Sequence, residues 1–129
     1  MEEPHPEYKL ANPCALVVED EFLIRWQIAD VLRSRGFNVY EFATADDAWA
    51  YIQSGAQVDV VFTDIRLPGN LNGLELCLLI HENAVPIKAV VVTSSHLSKA
   101  AIPLPVPFVP KHYDPDAIAE LLSKLVHAY

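Results

Sequence analysis

Apolar runs and amphipathic segments alternate along the chain from about residue 14 onward. The runs ALVV at 15–18, VDVVF at 58–62 and IKAVVVT at 87–93 are almost continuously apolar, which predicts strands that are buried on both faces. NVYEF at 38–42 alternates apolar and polar residues, as a half-exposed strand does. In IPLPVPFVPK at 102–111, four prolines surround one short extended segment, and such a strand belongs at a sheet edge.

Segments with helical spacing fill the intervals between these runs. The first spans 20–36 and repeats apolar residues every three or four positions until a glycine ends it. A second begins after Thr44, which has capping-box spacing, and a third spans 71–83 after a glycine-containing turn. The last helix opens with Asp114 as N-cap and Pro115 as its first residue.

Five strands that alternate with five helices indicate an α/β fold with right-handed crossovers and a parallel sheet covered on both faces. The three continuous strands belong at the centre and the other two at the edges. This placement predicts a doubly wound five-stranded parallel sheet of order 2-1-3-4-5, a flavodoxin-like fold. The segment SSHLSKAA at 94–101 leaves room for only two turns, so we expect a shortened fourth helix. We expect residues 1–13 to form a flexible N-terminal arm and residues 14–129 to form a single domain.

Composition and charge narrow the function classes. The 129 residues, 52% of them hydrophobic, suffice for one domain with a core. The net charge of −8, without a basic cluster, argues against binding to nucleic acid or to an anionic membrane. The chain has neither a long apolar span nor a signal peptide, which favours a cytoplasmic protein.

The spacing of the cysteines, histidines and tryptophans does not indicate a chemical role for them. Cys14 and Cys77 stand in separate apolar contexts and are expected to be buried thiols. The five histidines have no metal-ligand spacing. Trp26 and Trp49 lie on the first two predicted helices, where we expect core packing, with contact to a partner as the alternative.

Polar side chains follow the predicted strands at the points where they end: Glu19 and Asp20, Asp64, Thr93 and Ser94, and Lys111. The carboxyl ends of parallel strands face one crevice, so these groups should converge there. Three carboxylates repel one another unless a cation neutralises them, and a ligand set made only of oxygens suits Mg²⁺. An aspartate in such a site is a candidate nucleophile, and the lysine and threonine are groups that stabilise phosphoryl oxygens.

These residues resemble the receiver domain of two-component response regulators, and the resemblance extends from about Cys14 to Ala128. It rests on VVEDE at 17–21, TDIRLPG at 63–69, VVVTS at 90–94 and VPK at 109–111. In combination these motifs are a strong signal.

The resemblance implies a role for each matching residue. Asp64 would be the phosphoacceptor, taking a phosphoryl group from a phosphohistidine. Asp20 and Asp64, with the main-chain carbonyl of Arg66, would hold Mg²⁺, and Glu19 would act mainly through a coordinated water. The remaining matches are catalytic or switch residues: Thr93 and Lys111 would bind the acyl phosphate, and Phe108 would be the aromatic switch that follows the Thr93 hydroxyl.

The sequence also departs from the family pattern. His112 follows the lysine where the family usually has proline, one extra residue lies between Asp64 and Gly73, and the segment from Thr93 to Lys111 is short. The family uses the region around its fourth helix for signalling and dimerisation, so these changes bear on the output geometry. Arg66 stands two residues after the phosphoacceptor, and we predict that it slows autodephosphorylation.

The function we expect is a stand-alone phosphorelay switch that is not an enzyme beyond its own phosphoryl transfer and dephosphorylation. Its partners would be a histidine kinase or histidine phosphotransfer protein and an unknown downstream protein, and homodimerisation stays open. One alternative is a phosphohydrolase with an aspartate nucleophile, but such enzymes need an acid where Arg66 stands. The other is a degenerate receiver that acts as a phosphorylation-independent docking module.

Overall fold

A computed structural model describes residues 12–102 and 105–127 of the chain. The strands are β1 Cys14–Val18, β2 Asn38–Phe42, β3 Val60–Asp64, β4 Ala89–Ser94 and β5 Phe108–Pro110. The α-helices are α1 Phe22–Ser34, α2 Ala45–Gln53, α3 Gly73–Glu82 and α4 Pro115–His127, and a 3-10 helix, η1, spans Lys99–Ala101. The predicted N-terminal arm lies outside the described residues, apart from residues 12 and 13.

The five strands form one parallel sheet of order β2-β1-β3-β4-β5, which confirms the predicted fold. Strands β1 and β3 are buried along their whole length, in agreement with their continuous apolar sequences. The predicted edge strands β2 and β5 are indeed the outer two.

Helices cover both faces of the sheet. On one face, Ile28 and Leu32 of α1 pack with Ile118 and Leu122 of α4, and all four are at most 2% exposed. On the other face, a second cluster unites residues of α2 and α3 with the alternate side chains of β1 and β3, among them Leu16, Ala48, Ile52, Val61, Leu76 and Ile80. Burial of this apolar area is the main source of the stability of the fold.

Local hydrogen bonds fix where the helices begin. The Thr44 hydroxyl accepts the main-chain N–H of Asp47 at 3.1 Å, as the capping spacing predicts. Asp114 accepts the N–H of Asp116 at 3.1 Å ahead of α4. Both predicted helix starts are therefore confirmed.

Among the described residues between β4 and β5, the one helical segment is η1, three residues long, so the predicted shortening of the fourth helix is confirmed. Within the described residues no longer helix covers this end of the sheet. A small cluster of Ile65, Cys77, Val92 and Ile102 packs there instead.

The expectation of core packing is wrong for Trp26, which is 49% exposed. The buried residues of α1 are Ile28, Ala29 and Leu32. Trp26 precedes Ile28 by two positions, about 200° around a helix, so its side chain leaves from the opposite face. Trp49 is partly buried and packs against the cluster under α2 and α3.

The outer edge of β2 carries a side-chain contact to its backbone. Arg33 donates from Nη2 to the Val39 carbonyl at 2.9 Å and from Nη1 to Glu41 Oε2 at 3.0 Å. The N–H of Asn38 donates to the Pro13 carbonyl, so the main-chain groups of Asn38 point toward β1. Successive residues of a strand direct these groups to opposite sides, so the carbonyl of Val39 points away from β1. Arg33 therefore covers an unpaired acceptor of the edge strand.

Two further expectations concern the cysteines and the membrane. Cys14 and Cys77 are both free and buried, and burial raises the pKa of Cys77 to about 12. Neither is a reactive thiolate at neutral pH. Among residues 12–102 and 105–127, no helix is long and apolar enough to cross a bilayer.

Candidate functional site

Three carboxylates meet where β1 and β3 end. Glu19, Asp20 and Asp64 each offer an oxygen, and these oxygens all lie within 4.8 Å of one another. Glu19 and Asp64 are buried, at 3% and 7% exposure, whereas Asp20 is exposed. The adjacency follows from the sheet, because Val18 pairs with Thr63 one step before the acids. The structure thus brings together acids that are 45 residues apart in the sequence.

Lys111 places a positive charge among these acids. Its Nζ lies 2.8 Å from Glu19 Oε1 and 3.1 Å from Asp64 Oδ2. Only 7% of the Lys111 side chain is exposed. Its backbone N–H donates to the Ser94 carbonyl at 3.1 Å, which ties the residue to the end of β4, and the following peptide bond, to His112, is cis.

Burial dominates the electrostatics of the site. It raises the pKa of Glu19 and of Asp64 above the ordinary carboxyl values, and Lys111 opposes that increase at both acids. Burial lowers the pKa of Lys111, but the hydrogen bond to Glu19 and the charge of Asp64 outweigh it, so the pKa rises overall. The site therefore favours a charged ammonium and resists the full charge of its acids.

Thr93 faces the same end of the sheet. It pairs with Asp64 across β3 and β4, is 1% exposed, and its hydroxyl has no hydrogen-bond partner among the described residues. A buried hydroxyl without a partner is rare and calls for an explanation. Ser94, the next residue, is already engaged, because its hydroxyl accepts the N–H groups of His96 and Leu97 at 3.0 and 3.2 Å. Thr93 is thus the hydroxyl left for a ligand.

Phe108 lies at the start of β5, three residues before Lys111, and is half-buried. It packs against the small cluster that contains Ile65 and Val92. Ile65 directly follows Asp64, and Val92 directly precedes Thr93. Phe108 therefore packs against the neighbours in sequence of Asp64 and Thr93.

The loop between β1 and α1 is fixed from two sides. The Glu19 N–H donates to the Phe42 carbonyl at 2.9 Å, and the Glu19 carbonyl accepts from Arg25 Nη1 at 2.9 Å. Arg25 also approaches Glu41 Oε1 with its Nε at 3.3 Å. Sequence reasoning missed Arg25, because its contact at the site goes to a main-chain carbonyl, which no sequence pattern marks.

The loop between β3 and α3 carries the other wall of the site. Asp46 of α2 accepts the N–H groups of Asn70 and Leu71 at 2.9 and 2.8 Å, which closes the loop that has the extra residue. At Gly73 a Cβ atom would overlap the main-chain oxygen of Asp64, so the start of α3 requires glycine. Sequence reasoning missed Asp46, because nothing near it in the chain indicates a contact 24 residues away.

A crevice of about 410 Å³ opens beside the acids. Its lining residues are Asp20, Ile65, Arg66, Leu67, Pro68 and Asn72. Arg66 is exposed. The donor set fits Mg²⁺: carboxylate oxygens converge without sulfur or imidazole ligands, and the open crevice leaves room for water and phosphate.

An exposed apolar surface stands next to the acids. Phe22, Leu23 and Trp26, at the start of α1, are 61%, 73% and 49% exposed. We call these three residues the α1 patch. Large apolar side chains clustered in solvent often mark an interaction site.

The sequence profile of the response regulator receiver domain matches residues 15–123. The transcriptional regulator NtrC of Proteus hauseri is 27% identical over 117 residues, covering 88% of this chain and 24% of that protein. The regulatory protein SphR of Synechococcus elongatus, named for alkaline phosphatase synthesis, is 33% identical over 94 residues, covering 65% of this chain and 36% of that protein. The chain thus spans between about a quarter and just over a third of the length of these relatives.

Solved structures show the same fold. A response regulator receiver protein from Sinorhizobium medicae superposes with a TM-score of 0.83 at 24% identity, covering 92% of this chain and 98% of that one. A CheY-like receiver domain from Methanospirillum hungatei gives a TM-score of 0.78 at 20% identity, covering 90% and 94%.

Proposed function

Because the chain belongs to the response regulator receiver domain family, we propose that it is a phospho-accepting switch of a two-component phosphorelay in which Asp64 takes the phosphoryl group. Receiver domains serve two-component signalling, bind Mg²⁺ in an acidic pocket and interact with histidine kinases or phosphotransfer proteins. The observation that carries the proposal for Asp64 is the Lys111 ammonium group between Glu19 and Asp64, with the unpartnered Thr93 hydroxyl beside them.

The proposed reaction is an in-line displacement at phosphorus. A carboxylate oxygen of Asp64 attacks the phosphorus of a phosphohistidine, an O–P bond forms, and the P–N bond breaks with its electron pair returning to the histidine nitrogen. Bound Mg²⁺ would neutralise charge on the transferring group, held by Asp20, Asp64 and the Arg66 carbonyl, with Glu19 acting through water.

Lys111 and Thr93 bind the product in this proposal. The Lys111 ammonium pairs with a phosphoryl oxygen, and the Thr93 hydroxyl donates a hydrogen bond to another, which gives the buried hydroxyl its partner. Phe108, which packs against Ile65 and Val92, then adjusts to the movement of Thr93. Phosphorylation places about two negative charges where the carboxylate carried one, together with new phosphoryl oxygens, and so biases such a two-state region.

The α1 patch supports a docking site for the phosphodonor. A donor histidine has to reach Asp64, so the partner must cover the surface next to the acids, where the patch lies. The apolar side chains offer area that a helix of a histidine kinase or phosphotransfer protein could bury. The net charge of −8 favours a partner with basic residues around that helix.

The output of the switch is proposed to be protein contact. Residues 14–129 would form the receiver domain that carries it, and the target would be a downstream protein that distinguishes the two states. A homodimer through α4 is a second form of the same readout. The described part of this region has the three-residue η1 in place of a full helix, so a partner that reads it meets a surface other than that of a full helix.

The test is incubation with Mg²⁺ and acetyl phosphate followed by measurement of the intact mass. The parent protein and Asp30→Asn, which changes an exposed acid on α1, should each gain one phosphoryl group, and Asp64→Asn should gain none. Phosphate release at a high rate without an adduct would indicate a hydrolase. No adduct and no turnover would leave the phosphorylation-independent docking module.

A further inference from the structure

We propose that Arg25 is a positioning residue for the magnesium site, acting through the main chain of Glu19 rather than by touching the ion. This inference rests on the proposed function and deepens it. Arg25 lies in the first part of α1, and only 16% of its side chain is exposed. Burial at this level is unusual for an arginine and indicates a fixed position.

The contacts of Arg25 fix the acidic pair directly. Its Nη1 donates to the Glu19 carbonyl at 2.9 Å, and that carbonyl belongs to the peptide group that leads into Asp20. On the other side of the residue, the Glu19 N–H donates to the Phe42 carbonyl at 2.9 Å. One hydrogen bond therefore holds each of the two peptide groups around Glu19, and together they set the direction in which the Asp20 side chain leaves the backbone.

Asp20 depends on its main chain for its placement, which the Arg25 contact fixes on one side and the bond from the Glu21 N–H to Glu19 Oε2, at 3.0 Å, fixes on the other. It is exposed, and no hydrogen bond to its carboxylate is found among residues 12–102 and 105–127. Glu19 and Asp64, in contrast, are buried and held by Lys111. The placement of Asp20 within 4.8 Å of the other two acids thus depends on its backbone.

A guanidinium group suits this role through its shape. Its planar set of donors reaches the Glu19 carbonyl and Glu41 Oε1 at the same time, whereas a lysine ammonium is a point charge. Glu41 is in turn held by Arg33 Nη1 at 3.0 Å. The chain of contacts ties the metal end of β1 to the outer strand β2.

The sign of the effect separates positioning from simple electrostatics. Arg25 is a positive charge near a cation site, so its removal should tighten Mg²⁺ binding if charge alone matters. If Arg25 positions the acids, its removal should weaken binding. Loss of a residue that orients metal ligands typically costs about 10- to 100-fold in metal affinity.

The experiment is titration calorimetry with Mg²⁺ on the full-length parent, Arg25→Met and Arg33→Met, well below each unfolding temperature. Both substitutions remove a guanidinium that pairs with Glu41, but only Arg25 contacts Glu19. We expect Arg25→Met to weaken Mg²⁺ binding about tenfold and Arg33→Met to stay within about twofold of the parent. Arg25→Lys should recover part of the loss, because an ammonium can serve one acceptor at a time.

An unchanged or tighter dissociation constant for Arg25→Met would overturn the inference, as would an equal loss in Arg33→Met. Should Arg25→Met not fold, Arg25→Lys decides alone: a loss of about threefold or more supports the role, and parental affinity overturns it. A parent protein that does not bind Mg²⁺ at all would instead refute the proposed function, so the two failures are distinguishable.

Discussion

Without metal, the Asp64→Asn variant should be more stable than the parent. With Mg²⁺ bound, the parent should be the more stable of the two. The substitution keeps the shape of the side chain and removes one of three acids whose oxygens lie within 4.8 Å of one another. The site resists the charge of Asp64, because burial raises the pKa of this carboxyl more than Lys111 lowers it. An uncharged amide is free of that conflict.

The magnitude follows from the distances. With an effective dielectric constant of about 20, two like charges at the upper limit of 4.8 Å repel by about 3.5 kcal/mol, and closer charges repel more. Asp64 has two such neighbours, Glu19 and Asp20, although solvent around the exposed Asp20 weakens one repulsion. The attraction between Asp64 and the Lys111 ammonium group, 3.1 Å away, offsets about 5 kcal/mol of this repulsion. The net cost of the Asp64 charge is on the order of 1–2 kcal/mol, which corresponds to an increase of roughly 4–8 °C in Tm for Asp64→Asn.

Thermal unfolding followed by circular dichroism, in a chelator and in Mg²⁺, measures both parts. At a Mg²⁺ concentration about 100 times Kd, the parent gains about 2.7 kcal/mol, and a variant without the acid gains little, so the order of the two melting temperatures reverses. Asp30→Asn, on the exposed side of α1, should match the parent in both buffers. Asp64→Asn melting at or below the parent in chelator would refute the reasoning.

The dependence of this difference on pH provides a second check. The folded protein binds a proton at Asp64 more tightly than the unfolded chain does, because the folded pKa is raised. The stability of the parent therefore falls as pH rises from the ordinary carboxyl pKa through the raised one. The advantage of Asp64→Asn in chelator should be full at neutral pH and should vanish toward strongly acidic pH.

Three further substitutions probe neighbouring parts of the site. Lys111→Met leaves buried acids without their counter-ion and should lower the unfolding free energy of the metal-free protein by about 3 kcal/mol in denaturant titrations. Mg²⁺ should largely reverse this loss, and a loss that persists in Mg²⁺ would contradict the prediction. Arg66→Ala should shorten the lifetime of the phosphorylated protein by several-fold, followed by intact mass over time, and an unchanged lifetime would count against a role for this arginine. Gly73→Ala forces a methyl group onto the Asp64 carbonyl and should lower the unfolding free energy by more than about 2 kcal/mol. The control Gly36→Ala has open space but a positive φ, and it should cost about 1 kcal/mol. Equal costs would argue against the close approach at Gly73.

Sequence patterns predicted which strands and helices form more accurately than the residues at which they begin and end. Residues 58–62 predict the third strand, whereas β3 runs from Val60 to Asp64. Val58 is buried without pairing in the sheet, and Asp59 uses its carboxylate to accept the Cys14 N–H at 2.8 Å. Apolar character reports burial, and pairing depends on neighbours that the local sequence does not contain.

Some residues of the candidate site could be identified from the sequence and others could not. Glu19, Asp64 and Lys111 were identifiable because their positions at strand ends follow from the alternation of elements. Arg25 and Asp46 were not, because their contacts go to main-chain groups, and any residue offers a main-chain carbonyl or N–H. Side-chain motifs are visible in a sequence, whereas the partners of backbone groups are visible only in three dimensions.

Arg33 has a consequence for the behaviour of the protein in concentrated solution. A parallel sheet ends in two strands whose outward N–H and C=O groups can recruit a strand from another molecule. By donating to the Val39 carbonyl, Arg33 removes one acceptor from that template. At the opposite margin, β5 is three residues long and ends in Pro110, which has no N–H to donate. Both margins of the sheet therefore offer fewer free backbone groups to an approaching strand, and at the β2 margin a side chain of the neighbouring helix is the reason.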